Sequence, residues 1–210
     1  MSPLVEAAHT FILTFLKPCE TYPFHNLSHT LDVWERSREI GKKEWLEGET
    51  LENLEIAALF HDAGFTKQYS NNEFLWAEIA RDWLIEQGCN EEKIEIIIHI
   101  IMATVLFSPT NSLQEQIIQD ADLDNLGRKD SFERSAKYLE ELQTIGKKDI
   151  SPESYWLFTL SLIMNFHFHT NTSKRKREKQ RQKNISLIEA YIVSQNWKLP
   201  KKILDEISKI

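Results

Sequence analysis

The chain has 210 residues, 41% apolar and 27% charged, with a formal net charge of −7. Those proportions exclude a disordered or low-complexity chain, and the acidic balance speaks against wholesale wrapping of nucleic acid. They leave room for a small anionic ligand, because a single metal ion can reverse the local field.

Six Gly and six Pro over the whole length supply few of the turns that a β-sandwich needs, whereas six Trp and eleven Phe supply ample apolar surface for one core. Cys19 and Cys89 are the only cysteines and do not form a Cys-x-x-Cys pair. A reducing, cytoplasmic setting without a thiolate metal cluster is therefore expected. The apolar run Ile96 to Phe107 is broken by His99 and is too short to span a bilayer.

Apolar residues three and four apart predict a first amphipathic helix from Leu4 to Leu16. It has neither a basic leader nor a small-residue cleavage site and is not read as a signal peptide. Pro18 and Pro23 then force an irregular connection. Asn26 or Ser28 can cap a helix running to Trp45, and Leu51 to Ala63 reads as a buried helix ending at Gly64. Asn71 and Asn72 precede an amphipathic helix to Gln87. Glu91 to Phe107 is apolar nearly all round and is expected to cross the centre of the bundle, burying His99. Further helices are expected over Leu113–Asp124, Ser131–Thr144, Pro152–His169 and Lys174–Trp197, with a short tail helix after Pro200. The six Trp fall at helical spacings and are assigned to the core. The fold expected is all-α: one helical bundle of nine or ten helices, with a metal-site core over residues 25–127 and C-terminal helices over 128–210.

Three segments carry chemistry: HNLSH at 25–29, the His-Asp pair at 61 and 62, and DADLD at 120–124. Each alone is a weak signal, but helical phase ties them together. His61 follows Leu54 and Ala58 by seven and three; Asp120 follows Leu113 and Ile117 by the same intervals; His29 precedes Val33 by four. Three ionisable side chains thus aim at a core from three helices, and buried charges need a partner or a metal. Two imidazoles and two carboxylates, His29, His61, Asp62 and Asp120, suit one divalent ion: Mn²⁺, Mg²⁺ or Fe²⁺, with Zn²⁺ also admissible.

The order His, His-Asp, Asp, in the settings FHNLSHTLDV, AALFHDAGF and IIQDADLDNLG, resembles the HD superfamily of metal-dependent phosphohydrolases over about His25 to Gly127. The resemblance implies His29 as first ligand, His61 and Asp62 as second and third, and Asp120 as fourth. Asp122 and Asp124 compete for that last place; Asp120 is preferred for its inward phase, and Asp122 is expected to point away. FHNLSHTLDV is also similar to a segment of class I cyclic-nucleotide phosphodiesterases, which implies that His25 protonates the leaving oxygen. The catalytic residues expected are thus His25, Asp62 and Asp120.

The His-Glu element that many two-metal members carry after the His-Asp pair is replaced here by NNEFLWA, so one metal is expected, with Glu73 free to hold a water or a substrate group. Lys67, five residues beyond Asp62, is a candidate phosphate contact. The activity implied is hydrolysis of a phosphate monoester or phosphodiester, with a nucleotide as the partner expected and no membrane. The alternative is a regulatory domain that binds metal or nucleotide without turnover. Residues 174–183 (KRKREKQRQK) read as a solvated helix start, the rival being a phosphate-attracting rim or an RNA contact.

Overall fold

The computed structural model describes residues 1–200, and among them every regular element is helical. The expected tail helix after Pro200 lies outside the described residues. In chain order the α-helices are α1 (Pro3–Phe15), α2 (Leu27–Lys43), α3 (Gly48–Phe60), α4 (Glu73–Glu86), α5 (Glu91–Met102), α6 (Leu113–Asp122), α7 (Ser131–Thr144), α8 (Pro152–Asn165) and α9 (Asn171–Ser194). Short 3-10 turns at Lys17–Cys19, Ala63–Thr66 and Leu123–Gly127 join them. Side-chain caps account for several starts: Ser2, Asn26, Asn90, Ser112, Ser151 and Thr170 each accept a backbone N–H of the first turn.

The helices bury two apolar clusters. The first gathers Val5, Ile12, Ile40, Leu54, Phe60, Trp83 and Ile97 from α1 to α6. The second gathers Leu126, Tyr155, Trp156, Leu160 and Ile188 from the turn after α6 and from α8 and α9. Gly127 passes close to α9: a Cβ on Gly127 would stand 2.4 Å from the Cβ of Arg177 and 3.0 Å from its carbonyl oxygen. Only glycine allows that approach.

Three expectations are corrected. α5 ends at Met102 rather than Phe107, and the following turns place Phe107 at φ 69° with its ring exposed. His99 is on the solvent face of α5, its side chain 72% exposed, because the buried residues of the helix are Ile94, Ile97, Ile98, Ile100 and Ile101. Trp45 is not core: it follows the C-terminus of α2 at φ 66° and is 90% exposed. No described helix is long and apolar enough to cross a membrane.

Candidate metal centre and active site

Local structure fixes each side chain of the site. Asn26 caps α2, its Oδ1 accepting from the N–H groups of Ser28 (2.9 Å) and His29 (3.2 Å), which sets His29 in the first turn. The buried neighbours Val33 and Trp34 hold that turn against the core. His61 follows the last residue of α3, and its Nδ1 donates to the carbonyl of Ala58 at 2.8 Å. That bond leaves the lone pair of the neutral ring on Nε2. The chain then turns through Gly64, where a Cβ would meet the Trp76 ring at 2.6 Å and the Asn72 carbonyl at 2.7 Å. This tight passage seats Asp62 beside His61.

Four ligand-type atoms converge. His61 Nε2 stands 3.4 Å from His29 Nε2. Asp62 Oδ2 is 3.3 Å from His29 Nε2 and 3.1 Å from His61 Nε2, and Asp122 Oδ1 is 3.3 Å and 3.7 Å from the same two atoms. His29, His61 and Asp122 each offer an atom within 4.8 Å of the others. Burial alone would favour a neutral His29, but the Asp122 and Asp62 carboxylates beside its ring outweigh it and lift its pKa to about 10. Burial pushes the Asp62 carboxyl up, and the two imidazoles more than reverse that, holding it well below the carboxylate range. Asp62 Oδ2 is buried and makes no hydrogen bond of good geometry, its contacts with the two imidazole nitrogens being ion-pair contacts at 3.1 and 3.3 Å. Two imidazole nitrogens face two carboxylates, and an ion that displaced their protons would find a donor set that fits a divalent cation.

The expected fourth ligand, Asp120, is not in this group. It is wholly buried, but against the start of α9: Oδ1 accepts from the N–H of His169 at 2.7 Å, and Oδ2 accepts from the N–H (2.8 Å) and hydroxyl (2.7 Å) of Thr170. Burial raises its pKa in spite of those bonds. Asp120 therefore ties α9 to α6. Two residues along α6 the side chain swings by roughly 200°, which brings Asp122, expected to point away, to the histidines. Asp124 is also occupied. It accepts from Arg36 Nε (2.8 Å) and from Arg177 Nε (2.7 Å) and NH2 (2.6 Å).

His25 does reach the site, and a residue that the sequence reading missed holds it. Glu141 on α7, its side chain fully buried, accepts from the His25 ring at Nδ1 (2.5 Å) and from the N–H groups of Phe24 (2.7 Å) and His25 (2.8 Å). The Tyr69 hydroxyl donates to the same carboxylate at 3.1 Å. Burial pushes Glu141 up, and the His25 imidazole and the two backbone donors outweigh it, so its pKa is lowered. With Nδ1 engaged, Nε2 is the His25 nitrogen left for chemistry. The available signal was a glutamate three residues after Tyr138 and four before Ile145, on the apolar face of an amphipathic helix.

A cavity of about 450 Å³ opens over these groups, between the two apolar clusters. Asp62, Asp122 and His25 lie at it, with Phe65, Tyr138 and Tyr155 among its walls. Glu73 lines it. Lys67 does not: its ammonium sits 5.9 Å over the ring of Phe15, beside α1, because the turn after Asp62 points it away. His167 bonds the Asn165 carbonyl (2.9 Å) and His169 the Gln119 side chain (2.9 Å), both outside the cavity. Three of the seven basic residues of the run are engaged within the fold, while Lys174, Arg175, Lys179 and Lys183 are exposed. Arg177 holds Asp124, Lys176 holds Glu39 at 2.7 Å, and Arg181, buried, donates to the Ile163 carbonyl.

Comparison with known proteins places this geometry. No curated protein matches the chain. A protein of Lactobacillus plantarum has a similar structure, with a TM-score of 0.71 at 17% identity over 93% of this chain and 98% of that one. Bacillus subtilis YpgQ, solved in complex with ADP, gives 0.62 at 20% identity over 90% and 97%. A predicted HD superfamily hydrolase from an uncultured Thermotogales bacterium gives 0.62 at 21% identity over 92% and 94%. At these identities the likeness is one of fold. Residues 26–125 match the family model of the HD domain, a span that contains His29, His61, Asp62 and Asp122, so over that segment the chain is similar to the HD-domain family.

Proposed function

We propose that the protein is a metal-dependent phosphohydrolase that cleaves a phosphate monoester or phosphodiester, with a nucleotide as its substrate, in the cytoplasm. The observation that carries this reading is the convergence of His29, His61, Asp62 and Asp122 on one point, with Asp62 and Asp122 lining the cavity. The flat aromatic walls favour a substrate with a ring, and the unpaired Cys19 and Cys89 suit a reducing compartment.

His29, His61, Asp62 and Asp122 would hold the ion. When bound there, such an ion would supply Lewis-acid polarisation of a phosphoryl oxygen and activation of water. His25 acts on the other side of the scissile bond. Glu141 fixes its ring through Nδ1, leaving Nε2 to deliver a proton to the departing oxygen. Asp120 takes no part in the chemistry, its oxygens being fully used at the start of α9.

The test is Mn²⁺-dependent hydrolysis of bis-p-nitrophenyl phosphate beside p-nitrophenyl phosphate, with Asp62→Ala as control. Turnover that disappears in the control, with helical content retained, is the expected result. Unchanged turnover by Asp62→Ala would overturn the assignment. No turnover by metal-loaded wild type would favour a ligand-binding domain.

A further inference from the structure

We infer that the cavity selects a substrate with a single phosphoryl group on a flat, apolar body and discriminates against polyphosphates. The inference deepens the phosphohydrolase reading and rests on it.

The first argument is charge. Lys148, on the loop after α7, is the only lysine or arginine among the described residues that line the cavity, and it makes no ion pair among them, whereas the His25 ring is already paired with Glu141. Three carboxylates, Asp62, Asp122 and Glu73, line the same space. The arginines nearest the site are engaged elsewhere. Arg36 and Arg177 close on Asp124 at 2.6–2.8 Å, and Arg128 and Arg134 close on Asp32 and Asp130 at 2.5–3.5 Å. One bound cation and Lys148 can balance one phosphoryl group. A second and third would enter among neutral and acidic groups, where an unpaired charge is costly. Asn125 adds to this: its buried side-chain oxygen has no hydrogen-bond partner, lines the cavity, and suits an N–H or O–H rather than an anionic oxygen.

The second argument is shape and surface. Phe65 stacks on the His25 ring, centroids 4.3 Å apart at 17°, so the wall beside the proton donor is flat and apolar. Phe24 and Tyr155 flank Tyr138, with centroids at 5.3 Å and 6.1 Å. At the mouth, Leu106 and Phe158 are 40% and 47% exposed, apolar surface that a ring-bearing substrate would cover. The cavity volume is in the range that encloses a small organic molecule.

Competition against the p-nitrophenyl ester that the protein hydrolyses faster tests the inference, with free Mn²⁺ held constant. Phenylphosphonate and methylphosphonate carry the same charged head and differ only in the body; tripolyphosphate carries charge without a body. Phenylphosphonate should inhibit at a concentration about tenfold or more below methylphosphonate, as burial of a ring predicts. Tripolyphosphate should compete no better than methylphosphonate. Leu162, on α8, lines the cavity and packs against the second apolar cluster; in Leu162→Trp, which fills that wall, the phenyl advantage should fall below about threefold while methylphosphonate inhibits as before. Equal inhibition by the two phosphonates, an undiminished phenyl advantage in Leu162→Trp, or tightest inhibition by tripolyphosphate would overturn the inference while leaving the phosphohydrolase standing. Absence of turnover on both esters overturns the phosphohydrolase itself, and the inference with it.

Discussion

The Glu141 carboxylate meets His25 Nδ1 at 2.5 Å across 116 positions of sequence, binding a residue of α7 to the loop that opens the metal centre. Glu141 touches no ligand atom of the centre, so its part is positioning. Glu141→Gln should lower turnover by about ten- to a hundredfold and change the pH–rate profile, with metal affinity kept. Loss of rate with an unaltered profile would make the role purely structural. His25→Ala should keep the metal and lose most rate on esters with poor leaving groups. Equal loss on activated and unactivated esters would count against proton donation.

The same pair makes a prediction about stability. The pKa of Glu141 is lowered from the ordinary 4.5 in the folded chain. A depressed carboxyl contributes stability that is present above its unfolded pKa and is lost as pH falls through the folded value. Thermal melts should therefore show wild type losing stability below about pH 4.5, and Glu141→Gln losing less over the same interval. Parallel curves would mean that the carboxylate is not the group responsible.

Asp124 lies between two guanidinium groups, Arg36 from the helix of His29 and Arg177 from α9, with both arginines mostly buried. Removing one member of such a pair strands the others. Asp124→Ala should cost about 3 kcal/mol in denaturant unfolding. A cost near that of an exposed ion pair, under about 1 kcal/mol, would show that the clamp is not needed.

Gly127→Ala addresses the same junction by steric means. The added methyl would meet Arg177 at 2.4 Å, so α9 must shift from the turn after Asp122. A loss of about 1–3 kcal/mol is expected, with weakened metal binding because that turn follows Asp122 directly. Unchanged stability and affinity would argue that the contact relaxes freely.

How far the sequence foretells the molecule follows from these residues. Periodicity located all nine described helices because each buries an apolar stripe, and it missed ends such as Met102, where turns with little apolar periodicity take over. His29, His61 and Asp62 were legible because a cap and a helix end place them locally. The choice between Asp120 and Asp122 was not. Phase shows that Asp120 is buried, but only tertiary structure shows that it is buried against Thr170 and not against the histidines. Glu141 was hidden for the same reason, since its partner lies in another segment. Lys67 and His99 were misplaced because a local pattern does not say which way a turn or a helix face looks once neighbours pack on it.

The most direct test of the account is calorimetric Mn²⁺ titration of wild type, Asp122→Ala and Asp120→Asn. Asp122→Ala should bind at least about a hundredfold more weakly, as loss of a ligand demands, while Asp120→Asn, if folded, should bind like wild type. Wild-type affinity in Asp122→Ala, with binding lost in a folded Asp120→Asn, would contradict the metal centre described here.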